Sequence, residues 1–220
     1  MNQTAIAEIR GVIREIYTKG SFFQQLLSIG RPSICPFHTL IAQVPPGVSI
    51  LDVGCESGIF VNLLAHQKRI SHGIGFDAST QAIALARSAL KEIKTPANIE
   101  FQHRAVEAGL PEGDFGVVSM IDVLHHINPK AQRAAVEQAA AKVAPGGIFL
   151  FKDIGRKPRW RAWANRLHDL VLARQWINYV AADDVAAWVE KGGFELTHEE
   201  TINMFWYGHE LLVFRRKKRA

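Results

Sequence analysis

The sequence of 220 residues contains only two cysteines, Cys35 and Cys55. Two cysteines make no disulfide framework, and neither has a second cysteine at the short spacing of a zinc site. We therefore expect a protein of a reducing compartment, the cytoplasm, and we expect no bound metal.

Long apolar runs are also absent. No window approaches the roughly 18 consecutive apolar residues that a membrane span requires. The first ten residues, Met1–Arg10, include Glu8 and lack the apolar core of a secretion signal. Because 48% of the residues are hydrophobic and 21% are charged, the composition excludes a disordered or fibrous chain. We expect a soluble folded domain of medium size.

The N-terminal part has a helical pattern of its own. Thr4 to Tyr17 carries apolar residues at helical spacing, namely Ile6, Ile9, Ile13 and Ile16. Ser21–Ile29 continues in a helical pattern, and Pro32 and Pro36 then interrupt it because proline does not fit inside a helix. Residues 1–47 are predicted to form an N-terminal helical cap.

From Val48 onward, strand and helix patterns alternate, which predicts an α/β domain over 48–220 with a parallel, doubly wound sheet. The predicted strands are Val48–Val53, His72–Phe76, Ile99–Gln102, Gly116–Ile121, Gly147–Lys152, Phe194–Thr197 and Glu210–Phe214. The predicted helices, besides one that follows Gly58, are Thr80–Glu92, Lys130–Val143, Trp160–Trp176 and Ala182–Lys191.

A glycine-bearing turn, Gly54 to Gly58, follows the first of these strands. Open α/β sheets bind ligands at the carboxyl ends of their strands, and a helix N-terminus there offers free N–H groups. Glu56 interrupts the dinucleotide fingerprint G-x-G-x-x-G, which argues against a nicotinamide-dependent oxidoreductase. Asp77 ends the second strand, where a carboxylate can accept hydrogen bonds from the two ribose hydroxyls of an adenosine moiety.

Four motifs in this order resemble those of class I S-adenosylmethionine-dependent methyltransferases: Ile50–Gly58, Gly75–Asp77, Asp114–Val118 with Leu124–Ile127, and Ala144–Gly147. The resemblance implies a Rossmann-like, doubly wound, seven-stranded and mostly parallel sheet with helices on both faces and an antiparallel last strand. It also implies S-adenosylmethionine as the cofactor, with S-adenosylhomocysteine as its product.

The same resemblance implies which residues bind the donor. Asp52 and the Gly54–Gly58 turn, with Cys55 and Glu56, lie beside the methionine part. Asp77 and Ala78 belong to the ribose side, and the adenine side is lined by Ala105, Val106 and Ile121. The sequence departs from the family at Glu56, where many relatives have glycine, and near Ala105, where an aspartate is common. Glu56 is either solvated or attracts the cationic sulfonium and ammonium groups.

Histidine is the side chain that best suits general-base catalysis near neutral pH. The candidates are His125, His126 and His168, with His209 less favoured. The adjacent pair His125–His126 fits structural support of the donor pocket as well as base catalysis. Asp153, at the end of the fifth strand, either orients an acceptor or a histidine, or caps the following turn.

The segment at about 156–180 is predicted to be a helical insertion on the acceptor side. Its apolar stripe at helical spacing, which includes Trp160 and Trp163, either roofs the acceptor or packs on the sheet. Basic residues cluster in Arg156–Arg161 and Arg215–Arg219, within a net charge of +5. They suit RNA phosphates, or an anionic or carrier-bound small acceptor; the second partner needs no RNA-binding module, and none is visible.

These patterns predict a methyltransferase that moves a methyl group to a small-molecule acceptor, with oxygen preferred, by in-line displacement. Methyl transfer of this kind depends mainly on positioning an aligned nucleophile in a water-poor pocket. Two alternatives stay open: a non-catalytic, donor-binding regulatory protein of the same fold, and an RNA methyltransferase.

Overall fold

The computed structural model describes residues 3–155, 178–204 and 207–218. The chain falls into two compact units, Met1–Pro111 and Glu112–Ala220. The predicted domain division between residues 47 and 48 stays a prediction. The acceptor-side insertion, with the predicted helix Trp160–Trp176, lies largely outside the described residues. Within the described residues, no helix is both long enough and apolar enough to cross a membrane.

The first unit begins with three helices, α1 (Gln3–Ile16), α2 (Phe22–Gly30) and α3 (Phe37–Ala42). The four isoleucines of α1 are buried, as their spacing predicts. Ser21 and Gln24 form a reciprocal capping box that begins α2, and a short 3₁₀ helix with Pro32 follows it. The sequence patterns did not predict α3, because six residues are too few to show a helical period.

Three parallel strands alternate with two helices in the rest of this unit: β1 (Val48–Val53), α4 (Ile59–His66), β2 (Ile70–Asp77), α5 (Thr80–Leu90) and β3 (Asn98–His103). The strand β2 pairs with β1 on one side and with β3 on the other. The β1 strand is almost wholly buried, as expected of a parallel strand that is covered on both faces. This arrangement brings the carboxyl ends of β1 and β2 together.

The second unit contains the remaining elements: β4 (Phe115–Ile121), α6 (Pro129–Ala141), β5 (Val143–Ile154), α7 (Ala182–Lys191), β6 (Phe194–Met204) and β7 (Tyr207–Arg216). The strands β4 and β5 are parallel, whereas β7 runs antiparallel to both β5 and β6. The strand order is β3-β2-β1-β4-β5-β7-β6 in a seven-stranded sheet. The predicted fold class, including the antiparallel last strand, is confirmed.

The strand β6 is much longer than the predicted Phe194–Thr197. It lies at an edge of the sheet and most of its residues are exposed or half-buried. Polar residues such as His198, Glu199 and Glu200 interrupt the apolar alternation that marks a strand in sequence. Pairing with β7, rather than hydrophobic pattern, therefore sets the length of β6.

Candidate functional site

The turn between β1 and α4 has an unusual backbone, with left-handed φ angles of 67° at Gly54, 50° at Glu56 and 72° at Gly58. A Cβ atom on Gly58 would lie 2.6 Å from the Phe101 ring and 2.8 Å from the Ala86 side chain. Glycine is therefore required at position 58 for packing as well as for conformation. Glu56 adopts the backbone conformation that a glycine adopts easily, so its departure from the family pattern leaves the turn geometry glycine-like.

Glu56 makes two contacts that the sequence did not predict. Its carboxylate forms an ion pair with Arg31, at 2.6 Å between Oε2 and Nη2, and its side chain remains 55% exposed. Its backbone N–H donates a hydrogen bond to Oδ2 of Asp77 at 3.0 Å. Because Arg31 offsets the negative charge, the attraction of Glu56 for a cationic donor is weakened. The role of Glu56 toward the donor stays a prediction.

Asp77 ends β2 with its carboxylate anchored by backbone groups. Oδ1 accepts the N–H of Ser79 at 2.8 Å, and Oδ2 accepts the N–H of Glu56. Each ionised oxygen has more than one acceptor direction, so both can still accept a hydroxyl. The next residue, Ala78, accepts a hydrogen bond from Nε2 of His103 at 2.9 Å. The ribose contact of Asp77 stays a prediction.

Two further residues predicted to contact the donor are buried. Asp52 lies in β1 with 3% of its surface exposed. Cys55 follows the strand, and its N–H donates to the Phe76 carbonyl at 2.9 Å. Burial raises the pKa of the Cys55 thiol, and the nearby carboxylates of Asp52 and Asp77 raise that pKa further. The thiol therefore stays protonated, and it is not the activated thiolate of a cysteine nucleophile.

The residues predicted for the adenine side lie at the ends of two strands. Ala105 precedes the short 3₁₀ helix that begins at Val106, just after β3. The N–H of Arg104 donates to the Asp77 carbonyl at 2.9 Å, which ties this segment to the end of β2. Ile121 ends β4, in the second unit. The adenine contacts of these residues stay predictions.

In the second unit, His125 and Asp153 form a buried pair. His125 lies in a 3₁₀ turn after β4, and Asp153 lies near the end of β5. Asp153 contacts Nδ1 of His125 through Oδ1 and accepts the His125 backbone N–H through Oδ2 at 3.2 Å. It also accepts the N–H of Ile154 at 2.7 Å. Asp153 thus contacts both a histidine and the backbone that follows it, and its functional role stays a prediction.

The other candidate histidines have different surroundings. His126 is exposed, and its ring centroid lies 4.1 Å from that of His125. His209 is buried in β7, opposite Ile154 of β5. His168 lies outside the described residues. Any catalytic role of these histidines stays a prediction.

The sequence patterns did not predict a buried ion pair that involves Lys152, the residue before Asp153. Lys152 has no exposed surface, and its Nζ atom contacts both carboxylate oxygens of Asp122, at 2.7 Å and 2.6 Å. Asp122 has a left-handed φ of 55° immediately after β4. Its position at the end of a strand, the same signal that marked Asp77, was the only local clue.

The C-terminal basic residues contact their own unit. Arg215 donates from Nη1 to the Gly146 carbonyl at 3.1 Å. Arg216 donates to the Ala141 carbonyl at 3.2 Å, and its guanidinium lies 6.0 Å from the centre of the Phe194 ring. Part of the predicted basic cluster is therefore used in packing.

Comparison with known proteins identifies the family of this chain. A family model described as a methyltransferase domain matches residues 26–199. A ubiquinone biosynthesis O-methyltransferase from Hahella chejuensis is 28% identical over 160 residues, which are 69% of this chain and 64% of that protein. This chain thus matches less than two thirds of that relative's length.

Solved structures share the fold at low sequence identity. An O-methyltransferase family protein from Burkholderia thailandensis has a TM-score of 0.70 at 19% identity, covering 90% of this chain and 59% of that one. The magnesium protoporphyrin IX methyltransferase from Synechocystis PCC 6803 with bound SAH has a TM-score of 0.68 at 18% identity, covering 94% and 93%. Since the family model spans most of the sequence, the chain belongs to the methyltransferase domain family.

Proposed function

We propose that this chain is an S-adenosylmethionine-dependent methyltransferase whose acceptor is a hydroxyl oxygen of a small molecule. The observation that carries the proposal is the backbone-anchored carboxylate of Asp77 beside the left-handed Gly54–Gly58 turn. Family membership supports methyl transfer in general. The name of the Hahella chejuensis relative, an O-methyltransferase, supports oxygen as the acceptor atom.

In this proposal the first unit holds the donor. Asp77 accepts hydrogen bonds from the ribose hydroxyls, and the Gly54–Gly58 turn with Asp52 binds the methionine part. The N-terminus of α4 follows this turn directly and, among the described residues, has no side-chain cap. The first N–H groups of a helix have no partner within the helix, so they favour a carboxylate there. S-adenosylmethionine, when bound, supplies an electrophilic methyl group on a sulfonium centre. The protein's task is then mainly to position the acceptor and exclude water.

The His125–Asp153 pair supplies the base. A carboxylate can only accept, so Nδ1 of His125 carries the hydrogen in this contact, and the proton-accepting nitrogen is Nε2. The same division of roles operates where an aspartate orients a catalytic histidine. A hydroxyl must lose its proton as it is methylated, and in this proposal Nε2 of His125 accepts that proton. His126 and His168 are the less supported alternatives.

The acceptor is proposed to be a small molecule, anionic or carried on an acidic partner. RNA is less well supported, because Arg215 and Arg216 bond to carbonyl groups of their own unit. A non-catalytic donor-binding protein is the second alternative. It predicts donor binding with no transfer of a labelled methyl group to phenolic acceptors.

The donor site is tested by calorimetric titration with S-adenosylmethionine. We expect saturable binding to the wild type and at least about 10-fold weaker binding to Asp77→Ala, because hydrogen bonds to a charged group contribute about 1.5–3 kcal/mol each. Asp77→Asn keeps an acceptor for Ser79 and controls for folding, and the exposed Asp114→Ala is the matched control. An affinity equal to that of the wild type in both Asp77 variants contradicts the assignment. Stabilisation by NAD instead of S-adenosylmethionine in thermal unfolding would favour an oxidoreductase.

A further inference from the structure

The N-terminal helical segment contacts the Gly54–Gly58 turn, named the donor turn from here on, through a second residue besides Arg31. Tyr17, just after α1, is 1% exposed, and its hydroxyl donates to the Ser57 carbonyl at 2.8 Å. The same hydroxyl accepts a hydrogen bond from Nδ2 of Asn62, in α4, at 3.0 Å. Ser57 and Glu56 are neighbours, so Tyr17 and Arg31 contact two consecutive residues of the turn.

Asn62 is a polar residue at a completely buried position. Its side chain has no exposed surface, and Nδ2 donates to both Tyr17 and the Ala86 carbonyl, the latter at 3.2 Å. Its Oδ1 atom has no hydrogen-bond partner within the part of the chain that the structure describes. A buried unpaired acceptor is unfavourable, and a leucine of similar size would avoid it. Stability alone therefore does not explain Asn62, whereas orientation of the Tyr17 hydroxyl does.

The turn that Tyr17 contacts needs external support. Its left-handed residues, Glu56 and Gly58, flank Ser57 on both sides. Such backbone conformations persist at functional sites only where the surrounding structure holds them. Burial raises the pKa of Tyr17 far above its ordinary value, so the hydroxyl stays protonated and remains a donor.

We propose that Tyr17, oriented by Asn62, is a positioning residue that holds the donor turn in its donor-binding conformation and thereby sets the affinity for S-adenosylmethionine. The inference rests on the proposed function. Tyr17 precedes residue 26, where the match to the family model begins. It is therefore a feature of this chain beyond the matched domain.

The test uses Tyr17→Phe, which removes the hydroxyl and keeps the ring. Two quantities are measured: the dissociation constant for S-adenosylmethionine, and amide hydrogen exchange in the donor-free protein. We expect about 3- to 10-fold weaker binding, the equivalent of one lost hydrogen bond. We also expect faster exchange of the Gly58 amide, which donates to the Cys55 carbonyl at 2.8 Å, with unchanged exchange in α6.

Two further variants separate positioning from general stability. Ser71→Ala removes another hydroxyl, which donates to the Gly47 carbonyl at 3.0 Å near the start of β1, and it should leave the affinity unchanged. Asn62→Leu removes the unpaired acceptor, so its melting temperature should equal or exceed that of the wild type while donor affinity falls. If Asn62 had a structural role alone, this variant would lower the melting temperature and the donor affinity together.

The outcomes are distinct. An unchanged dissociation constant in Tyr17→Phe overturns the proposal, as does faster exchange spread evenly over the chain. Equal losses of affinity in Ser71→Ala and Tyr17→Phe overturn it too. If the wild type fails to bind S-adenosylmethionine, the proposed function fails, and exchange of the Gly58 amide alone decides whether Tyr17 holds the turn.

Discussion

At the scale of single residues, backbone strain and buried charge concentrate at the ends of strands. Glu56 and Asp122 both have left-handed φ angles, and each is held by a charged partner, Arg31 or Lys152. A left-handed non-glycine residue costs on the order of 1–3 kcal/mol. Such contacts stabilise conformations that the local sequence disfavours, and strain of this kind is typical of functional sites.

Glu210, in β7 opposite Asp153 of β5, has a measurable consequence for stability. Burial raises the pKa of the Glu210 carboxyl above its ordinary 4.5, and the charges of Asp153 and Asp183 raise it further. The folded protein therefore binds a proton that the unfolded chain has already released. The free energy of unfolding consequently falls as the pH rises from about 4.5 through the folded pKa.

We expect Glu210→Gln to remove the part of the fall in unfolding free energy that Glu210 causes as the pH rises. Urea unfolding should show the variant more stable than the wild type at pH 7 and nearly equal to it at pH 4. The exposed Glu92→Gln is the control. Its free energy of unfolding should differ between pH 4 and pH 7 by as much as that of the wild type. If Glu210→Gln gains as much stability at pH 4 as at pH 7, the loss of stability does not come from ionisation of Glu210.

At the scale of elements, the end of β5 holds the segment that follows β4. Lys152 and Asp153 are consecutive in an extended strand, so their side chains point to opposite faces. Lys152 pairs with Asp122, and Asp153 pairs with His125. The segment that carries the proposed base is thus attached to β5 on both faces of the sheet, which fixes the orientation of the imidazole.

The orientation of His125 is directly testable. In the wild type, ¹⁵N NMR of the neutral imidazole should show the hydrogen on Nδ1. Asp153→Asn replaces a group that only accepts by an amide that both donates and accepts, and it removes the negative charge that stabilises a protonated imidazole. The preference for the Nδ1 hydrogen should therefore weaken, and methyl transfer to a hydroxyl should slow by about 100-fold or more. Asp114→Asn, at an exposed site, is the control. An Nε2-protonated imidazole in the wild type would remove the basis for His125 as the base.

At the scale of the whole molecule, the apolar side chains that the structure describes divide into a core and one exposed helix face. Phe101 and Phe149 are buried almost completely, as are most large side chains of the strands. In α2, the described structure leaves 82% of Phe22 and 63% of Phe23 exposed, with Leu26 and Leu27 about half exposed. These four residues occupy one face of α2, and the helix contributes little burial through them.

This division predicts very different costs of substitution. Phe22→Ser should change the free energy of unfolding by less than about 0.5 kcal/mol, whereas Phe101→Ala should cost about 3–5 kcal/mol. Denaturant unfolding of the two variants beside the wild type measures the contrast. A loss above about 2 kcal/mol in Phe22→Ser would show that this face is covered, since exposed substitutions rarely cost so much.

Much of the fold was predictable because it depends on local patterns. The alternation from β1 to β5, the helices α1 and α2 and the glycine turn follow from hydrophobic period and turn chemistry within short windows. Asp77 was predictable as a strand-end carboxylate in a family motif. The helix α3 and the length of β6 were not, since one is too short to show a period and the other depends on pairing with β7.

The sequence by itself determined the fold class and the glycine-bearing Gly54–Gly58 turn, because neighbouring positions in the chain encode both. Only the tertiary structure decided which groups meet. Tyr17 contacts Ser57 across 40 residues, His125 meets Asp153 across 28, and Asp122 meets Lys152 across 30. The physical reason is that hydrogen bonds and ion pairs depend on distances in space, and the packing of helices and strands sets those distances.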